Sequence, residues 1–503
     1  MKMPTKAELL KLQKRYHTDK RIAEALGGNV TEHLVQYWRR KKGIPHRTFP
    51  KYSEQQIREI WERFGDDFRC GQELGLSKAG FYSWRRKYGI KEKPKALKLE
   101  QLELRFGSES KRVRNGVVVE YYLTAAGKIL AEAASQDRVE FGEEIEVIPD
   151  LVLVGEKSER YANLKPSKKT DDKFRRVVSS PASTQFNGGN PGSVFTLLEE
   201  GEILPNKLVL YAGTNAGGLA AVSALTIPVD DAELGNLLKT GRCKVHSPKV
   251  IRITLEGRLQ KGVAAFDIFS YAKANLDPDI LDGMIIEYTG TVVEKLNMYE
   301  RVSLCHLTQL SGAMCGYVVF DETTRRFLSK RTQSSYKVNF SDSKAYYHKD
   351  FVLTLSGLEP QIVSSSDHNN SFCVSSETEI GDISRVFIGG PCGGSYDGMK
   401  QVSDIFRSAG RLSVPFYISP ISERAYLKAL KKKILVPVVE SGGIVLPPGF
   451  DLPDIPGFDP DTDETILSTP ISGLADSPKN LYFVNHITAA SSAIEGRLQA
   501  LGR

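Results

Sequence analysis

Apolar positions along this 503-residue chain keep two different rhythms. Up to residue 94 they recur at the spacing of amphipathic helices: Leu9, Leu12 and Tyr16, then Ile22, Ala23 and Leu26, then Val35 and Trp38. The same succession returns at Ile57, Ile60 and Phe64, at Leu74, and at Phe81 and Trp84. From Leu123 onward the rhythm changes. Short β-branched runs such as 147–154 and 250–255 alternate with longer helical stretches, which predicts an α/β chain. The sequence therefore reads as multidomain, with an α-helical head followed by an α/β body.

The head reads as one helical unit written twice, in residues 1–46 and 51–94. Residues 95–120 form the expected linker, rich in Lys and Pro at its start, and 121–503 the body. Trp38 and Trp84 stand 46 positions apart, Gly27 and Gly75 48 apart. In each copy the glycine closes a short helix where a positive φ is needed, and Thr31 or Ser77 caps the next helix. The unit resembles a tandem helix-turn-helix of the homeodomain-like kind. That resemblance implies a recognition helix offering Thr31, His33 and Gln36 in the first copy, and Ser77, Lys78 and Tyr82 in the second. Arg39, Arg40 and Lys41, with Arg85, Arg86 and Lys87, would pair with phosphates. Trp38 and Trp84 are expected in the core of each unit.

Charge sharpens this picture. Residues 1–100 hold 24 Lys and Arg against 12 Asp and Glu, while the rest holds 44 against 49, so the net +7 conceals a basic head on a mildly acidic body. Double-stranded DNA is the expected partner, with RNA the other polyanion that fits. No apolar run approaches the roughly 18 residues of a membrane span, and the first residues carry no signal-like apolar stretch, which predicts a cytoplasmic protein with no membrane partner. Six scattered cysteines without a CxxC pair argue against a disulfide framework and a zinc knuckle.

The most distinctive stretch of the body runs Val386-Phe387-Ile388-Gly389-Gly390-Pro391-Cys392-Gly393-Gly394-Ser395. A strand-like run ends in a glycine-rich turn that carries one thiol and opens a helix. This resembles the cluster-binding turn of the aconitase superfamily. Stretches 123–132, 139–147, 249–267, 286–290, 298–324 and 489–496 are similar, in family order, to the large subunit of isopropylmalate dehydratase. The resemblance implies an aconitase-like α/β domain over most of residues 120–500 and, in the family's enzymes, a [4Fe–4S] cluster held by three thiolates.

The residues that carry the family chemistry differ here. Pro391 falls at the first ligand position, with Cys392 one place off, and Phe450 and Pro453 stand at the other two. Gly213-Thr214-Asn215-Ala216 replaces an Asp-Ser-His-Thr turn, and His306 and Leu310 replace an asparagine and a glutamate. Phe195 stands for a histidine, and 470–474 for an arginine loop. On this reading no catalytic residue, metal or cofactor is expected. A small carboxylate or phosphate would be held by Thr214, Asn215, Arg301, Gly390, Cys392, Gly393, Gly394 and Ser395, unless the glycines only shape a turn and Arg301 only makes an ion pair. The expected function is a DNA-binding transcriptional regulator whose inactive, aconitase-like body senses a ligand or forms a homo-oligomer. Two alternatives stay open: a hydro-lyase of altered mechanism, and an architectural or assembly protein of a mobile element. Residues 326–370 and 447–463 read as loop insertions.

Overall fold

The computed structural model describes residues 3–16, 19–28, 30–44, 52–64, 70–90 apart from 72, 75 and 77, 103–105, 123–136, 142, 144–155, 174–176, 194–212, 215–276, 278–343, 345–374, 380–409, 411–459, 461–470 and 478–501. Residues 1–97 and 98–503 form two compact units. Among the described residues no helix is long and apolar enough to cross a membrane.

The head is helical, as its rhythm predicts. Helices Lys6–Tyr16, Asp19–Leu26 and Glu32–Lys41 close around Leu9, Ile22, Val35, Trp38 and Ile44. Thr31 caps the third helix by accepting the Leu34 N–H, and Gly27 carries the positive φ of 64° that ends the second. In the second copy, Glu54–Phe64 and Lys78–Lys87 pack through Ile57, Trp61 and Phe81. The two copies repeat a contact at the same 46-residue offset: Arg39 donates to the Ile44 carbonyl at 3.4 Å and Arg85 to the Ile90 carbonyl at 2.7 Å.

The body is α/β, built on mostly parallel sheets. One has seven strands in the order Asp367–Cys373, Gln361–Ser364, Leu481–Val484, Ile466–Ser468, Arg385–Ile388, Phe416–Ile418, Ile444–Val445, and the last five run parallel. A second has Lys349–Thr354, Val250–Glu256, Ile285–Thr289 and Cys315–Val318 side by side and parallel. A third, four-stranded and parallel, holds Leu151–Val154 and the fully buried Leu208–Ala212. Strands buried on both faces read as continuous apolar runs, which is why the sequence showed them plainly.

Two expectations are corrected here. Residues 103–105, assigned to the linker, pair antiparallel with 350–352 at the edge of the second sheet. The stretch taken as a loop insertion before 370 contributes strands Lys349–Thr354 and Gln361–Ser364 and most of Asp367–Cys373. Its polar start is explained by Asp350, whose carboxylate accepts Arg252 from the neighbouring strand, so a charge stands where an apolar residue was looked for.

Candidate functional site

In parallel sheets the loops leaving the carboxyl ends of the strands gather on one side, where ligands commonly bind. Strand Arg385–Ile388 delivers the Cys392 turn and the helix Tyr396–Ala409, and Leu481–Val484 delivers Asn485 and the helix His486–Glu495. Ile466–Ser468 ends at Thr469, whose hydroxyl accepts the Gly389 N–H at 2.9 Å, and Phe416–Ile418 ends at Ser419. From the other sheet side come the starts of the helices Ala265–Asn275 and Met298–Leu310. The Cys392 turn and the starts of the helices around it line a small, partly open cleft with about 20 Å3 of water-accessible space, walled among others by Phe266, Glu300, Cys392, Asp397, Gln401 and His486.

The glycines of the turn are required by packing. A Cβ on Gly393 would lie 2.5 Å from Ile388 Cγ2 and 2.9 Å from His486 Cβ, one on Gly394 would strike the Ser419 carbonyl oxygen, and one on Gly398 the Gly393 carbonyl. Gly390 has a φ of 56° and open space beside it. The Gly394 N–H, expected to cradle an anion, goes to the Gly390 carbonyl at 2.9 Å, and Ser395 Oγ accepts the Gly398 N–H at 3.1 Å, so both residues serve the turn.

Burial sets the electrostatics. It pushes the Cys392 thiol up to about 12, against the Ser303 hydroxyl and with Asp451 adding to the rise, so the sulfur stays protonated at neutral pH. Burial lowers His486 to about 4, so its ring is neutral. Its Nε2 meets Gln401 Oε1 at 2.5 Å, and the Cys392 backbone beside the ring opposes the lowering. Glu300 accepts the Asn297 N–H at 2.9 Å in a capping box; burial raises its carboxyl, Asp397 adds to the rise, and Asn297 and Arg301 oppose it.

Other expected residues lie elsewhere. Thr214 and Ser77 fall outside the described residues. Asn215 accepts the Gly217 N–H at 3.2 Å, beside the 3-10 turn Gly217–Val222 that packs on the Met298–Leu310 helix. Phe195 and His306, both at family-matched positions, do meet, edge to face at 5.9 Å, and burial alone lowers His306 to about 4. Arg301 is corrected as a ligand contact. It is fully buried, and its guanidinium donates to both Asp321 oxygens, to Thr324 Oγ1 and to the Val293 and Leu296 carbonyls, which uses all of its N–H groups.

In the head, Arg39 is corrected as a phosphate contact, being buried and paired with Asp19 at 2.6 Å. Arg85 lies half-buried over the Trp61 ring at 4.1 Å. Thr31, His33, Arg40, Lys41, Tyr82, Arg86 and Lys87 are exposed and Gln36 is half-buried; Lys78 begins its helix. Trp38 is buried as expected. Sequence reasoning missed Glu300, Asp397, Gln401 and His486; the only local sign was the Asn297–Glu300 capping box.

A thiolate-held cluster does not fit this donor set. Cys392 is the single sulfur lining the cavity, and it is a protonated, buried thiol. The loop that brings Asp451 near it carries Phe450 and Pro453, and neither side chain has a donor atom for iron. Cys305 and Cys315 lie together in the core, Cys243 in a strand pair and Cys373 on the outermost strand of the seven. No catalytic step is assigned to such a cluster.

Residues 196–380 match the aconitase family (aconitate hydratase). The chain is similar to 3-isopropylmalate dehydratase large subunit 1 of Pyrococcus furiosus, 27% identical over 323 residues that span 62% of this chain and 76% of that protein. It is also similar to a probable methanogen homoaconitase large subunit of Methanothermobacter thermautotrophicus, 26% identical over 310 residues, 60% of this chain and 72% of that protein. A solved structure of Thermococcus kodakaraensis aconitase X, holo-form, matches at a TM-score of 0.39 and 10% identity over 75% of this chain and 92% of that one. These relatives overturn the expectations of a DNA-binding transcriptional regulator and of an inactive body: their names are those of dehydratases and a homoaconitase, and none points to gene regulation.

Proposed function

We propose that this chain, whose body is that of the aconitase superfamily, is a hydro-lyase that removes water from a hydroxycarboxylic acid or adds it back. The observation that carries this reading is the alignment of 323 residues with a dehydratase large subunit. Elimination of water needs a group to take a proton from carbon and a group to give one to the departing oxygen. The Cys392 cavity supplies candidate groups of both kinds on rigid helix starts. Its thiol and imidazole are neutral, and the carboxyl groups of Glu300 and Asp397 stand beside them at the starts of their helices. Since the donor set does not fit a thiolate-held cluster, the mechanism departs from the family's.

The test is direct. Purified full-length chain is incubated with 3-isopropylmalate and a panel of 2- and 3-hydroxydicarboxylates, and the unsaturated product is followed by near-ultraviolet absorbance. Appearance of an alkene from one of them supports the reading. No alkene from any member of the panel sinks it.

A further inference from the structure

A reaction confined to the body leaves the basic head without a task. Residues 1–100 carry 24 Lys and Arg against 12 Asp and Glu, an excess that draws a polyanion. Half of that excess stands on the last helix of each unit. Glu32–Lys41 has three basic residues and one acid, and Lys78–Lys87 has four and no acid. Arg40, Lys41, Arg86 and Lys87 are exposed there, and among the described residues none of the four has an ion-pair partner. Arg39 and Arg85, by contrast, are engaged by Asp19 and by the Trp61 ring, so they belong to the fold.

Charge alone names no class of polyanion, but the aromatic side chains do. Among the described residues of the head the exposed large apolar side chains are Leu10, Tyr37 and Tyr82. The two tyrosines lie on these same two helices, 55% and 46% exposed. Each stands one helical turn before an exposed cation, Tyr37 before Lys41 and Tyr82 before Arg86, so ring and charge share a face. Lys41 Nζ lies 5.6 Å from the Tyr37 ring centre, and the Arg85 guanidinium 5.4 Å from that of Tyr82. The cores of the units are filled by other rings, Trp38 in the first and Trp61 with Phe81 in the second. A flat ring beside a cation matches a nucleotide: the base stacks on the ring and the phosphate meets the charge. A duplex keeps its base faces inside its own stack, whereas an unpaired strand offers them.

We propose that the head binds single-stranded RNA, with Tyr37 and Tyr82 each stacking a base and Arg40, Lys41, Arg86 and Lys87 pairing with the flanking phosphates. RNA is the nucleic acid whose bases are ordinarily left unpaired in loops, bulges and ends. Stacking on a ring face reads no particular base, so the binding tolerates changes of sequence. Two modest sites on one chain strengthen each other by effective concentration when one strand reaches both. The proposal does not rest on the hydro-lyase reading, since it concerns the other compact unit.

Fluorescence anisotropy of the full chain tests it. The probes are an unstructured RNA of about 20 nucleotides, single-stranded DNA of matching sequence and the corresponding DNA duplex, each at several salt concentrations. The RNA is expected to bind tightest. Tyr37→Ala and Tyr82→Ala should each weaken its binding about tenfold while leaving the salt dependence and the melting temperature in place. Lys41→Ala and Arg86→Ala should instead each lower the slope of log K against log salt by about 0.7, the loss of one phosphate contact on a single strand. Turnover of any panel acid by the body should be the same in all four variants. No binding of the RNA at low salt, either form of DNA bound as tightly as the RNA, or tyrosine variants that bind like the wild type overturns the proposal and leaves the hydro-lyase reading standing.

Discussion

Asp267 accepts a 2.6 Å hydrogen bond from the side-chain amide of Asn485, joining two helix starts separated by 218 positions of sequence. The same buried carboxylate accepts the Ala264 N–H and the Gln361 N–H, each at 2.7 Å. One side chain therefore fixes the start of the Ala265–Asn275 helix, the cap of the His486–Glu495 helix and the first residue of an adjoining strand. Asp267→Ala should leave three buried donors unpaired, at about 1–3 kcal/mol each. We expect a lowered unfolding temperature of the body by calorimetry.

The Arg301–Asp321 pair makes the body sensitive to acid. Burial raises the Asp321 carboxyl, but Arg301 and the Thr324 N–H outweigh it and hold the group below its ordinary value. The folded chain thus binds this proton less readily than the unfolded chain. The stabilisation is complete above about pH 4, the unfolded value, and is lost as pH falls through the lower folded value. Urea midpoints measured downward from neutral pH should fall, and Asp321→Asn should flatten that fall. Arg301→Ala should be the more damaging change, by about 3–5 kcal/mol, since it strands a partly buried carboxylate and two carbonyls.

Two glycines of one turn should respond unequally to the same substitution. Gly390→Ala meets open space and pays only for its φ of 56°, about 1 kcal/mol. Gly394→Ala drives a methyl group into the Ser419 carbonyl and the Ile421 backbone, so the turn must shift. Melting temperatures and turnover of the two variants, compared side by side, check this.

In the head, Arg39 and Arg40 are adjacent but not equivalent. Arg39→Ala abandons the buried Asp19 carboxylate and should cost about 3–5 kcal/mol in the stability of the first helical unit. Arg40→Ala, at an exposed position, should stay within about 0.5 kcal/mol. Hydrogen exchange of helix Glu32–Lys41 in the full chain separates the two.

The α/β body and the helical head were legible because buried strands and amphipathic helices carry their signal locally, as in Val386-Phe387-Ile388 or in the spacing of Ile57, Ile60 and Phe64. Charges were the difficulty. Arg39 and Arg301 looked like groups reaching outward, yet each is buried against an aspartate twenty positions away, Asp19 and Asp321. Asp350 hid a central strand for the same reason, its partner Arg252 lying 98 residues earlier. At the site, the Cys392 turn announced itself, whereas Glu300 reads as an ordinary capping residue and His486 as the start of an Ala/Ser-rich helix. Nothing in either neighbourhood tells of the other, because only the tertiary fold brings residues 300, 392 and 486 to one cavity.

The five parallel strands behind the Cys392 turn are hydrogen-bonded side by side, so the spacing between the loops they release is measured out by strand register. Slipping one strand by a single residue would carry its loop about 3.3 Å along and turn its side chains to the opposite face. Alignment of these loops is thus a property of the ladder, and changes remote from the cleft that loosen the pairing of Arg385–Ile388 should be felt as misplacement before they are felt as unfolding.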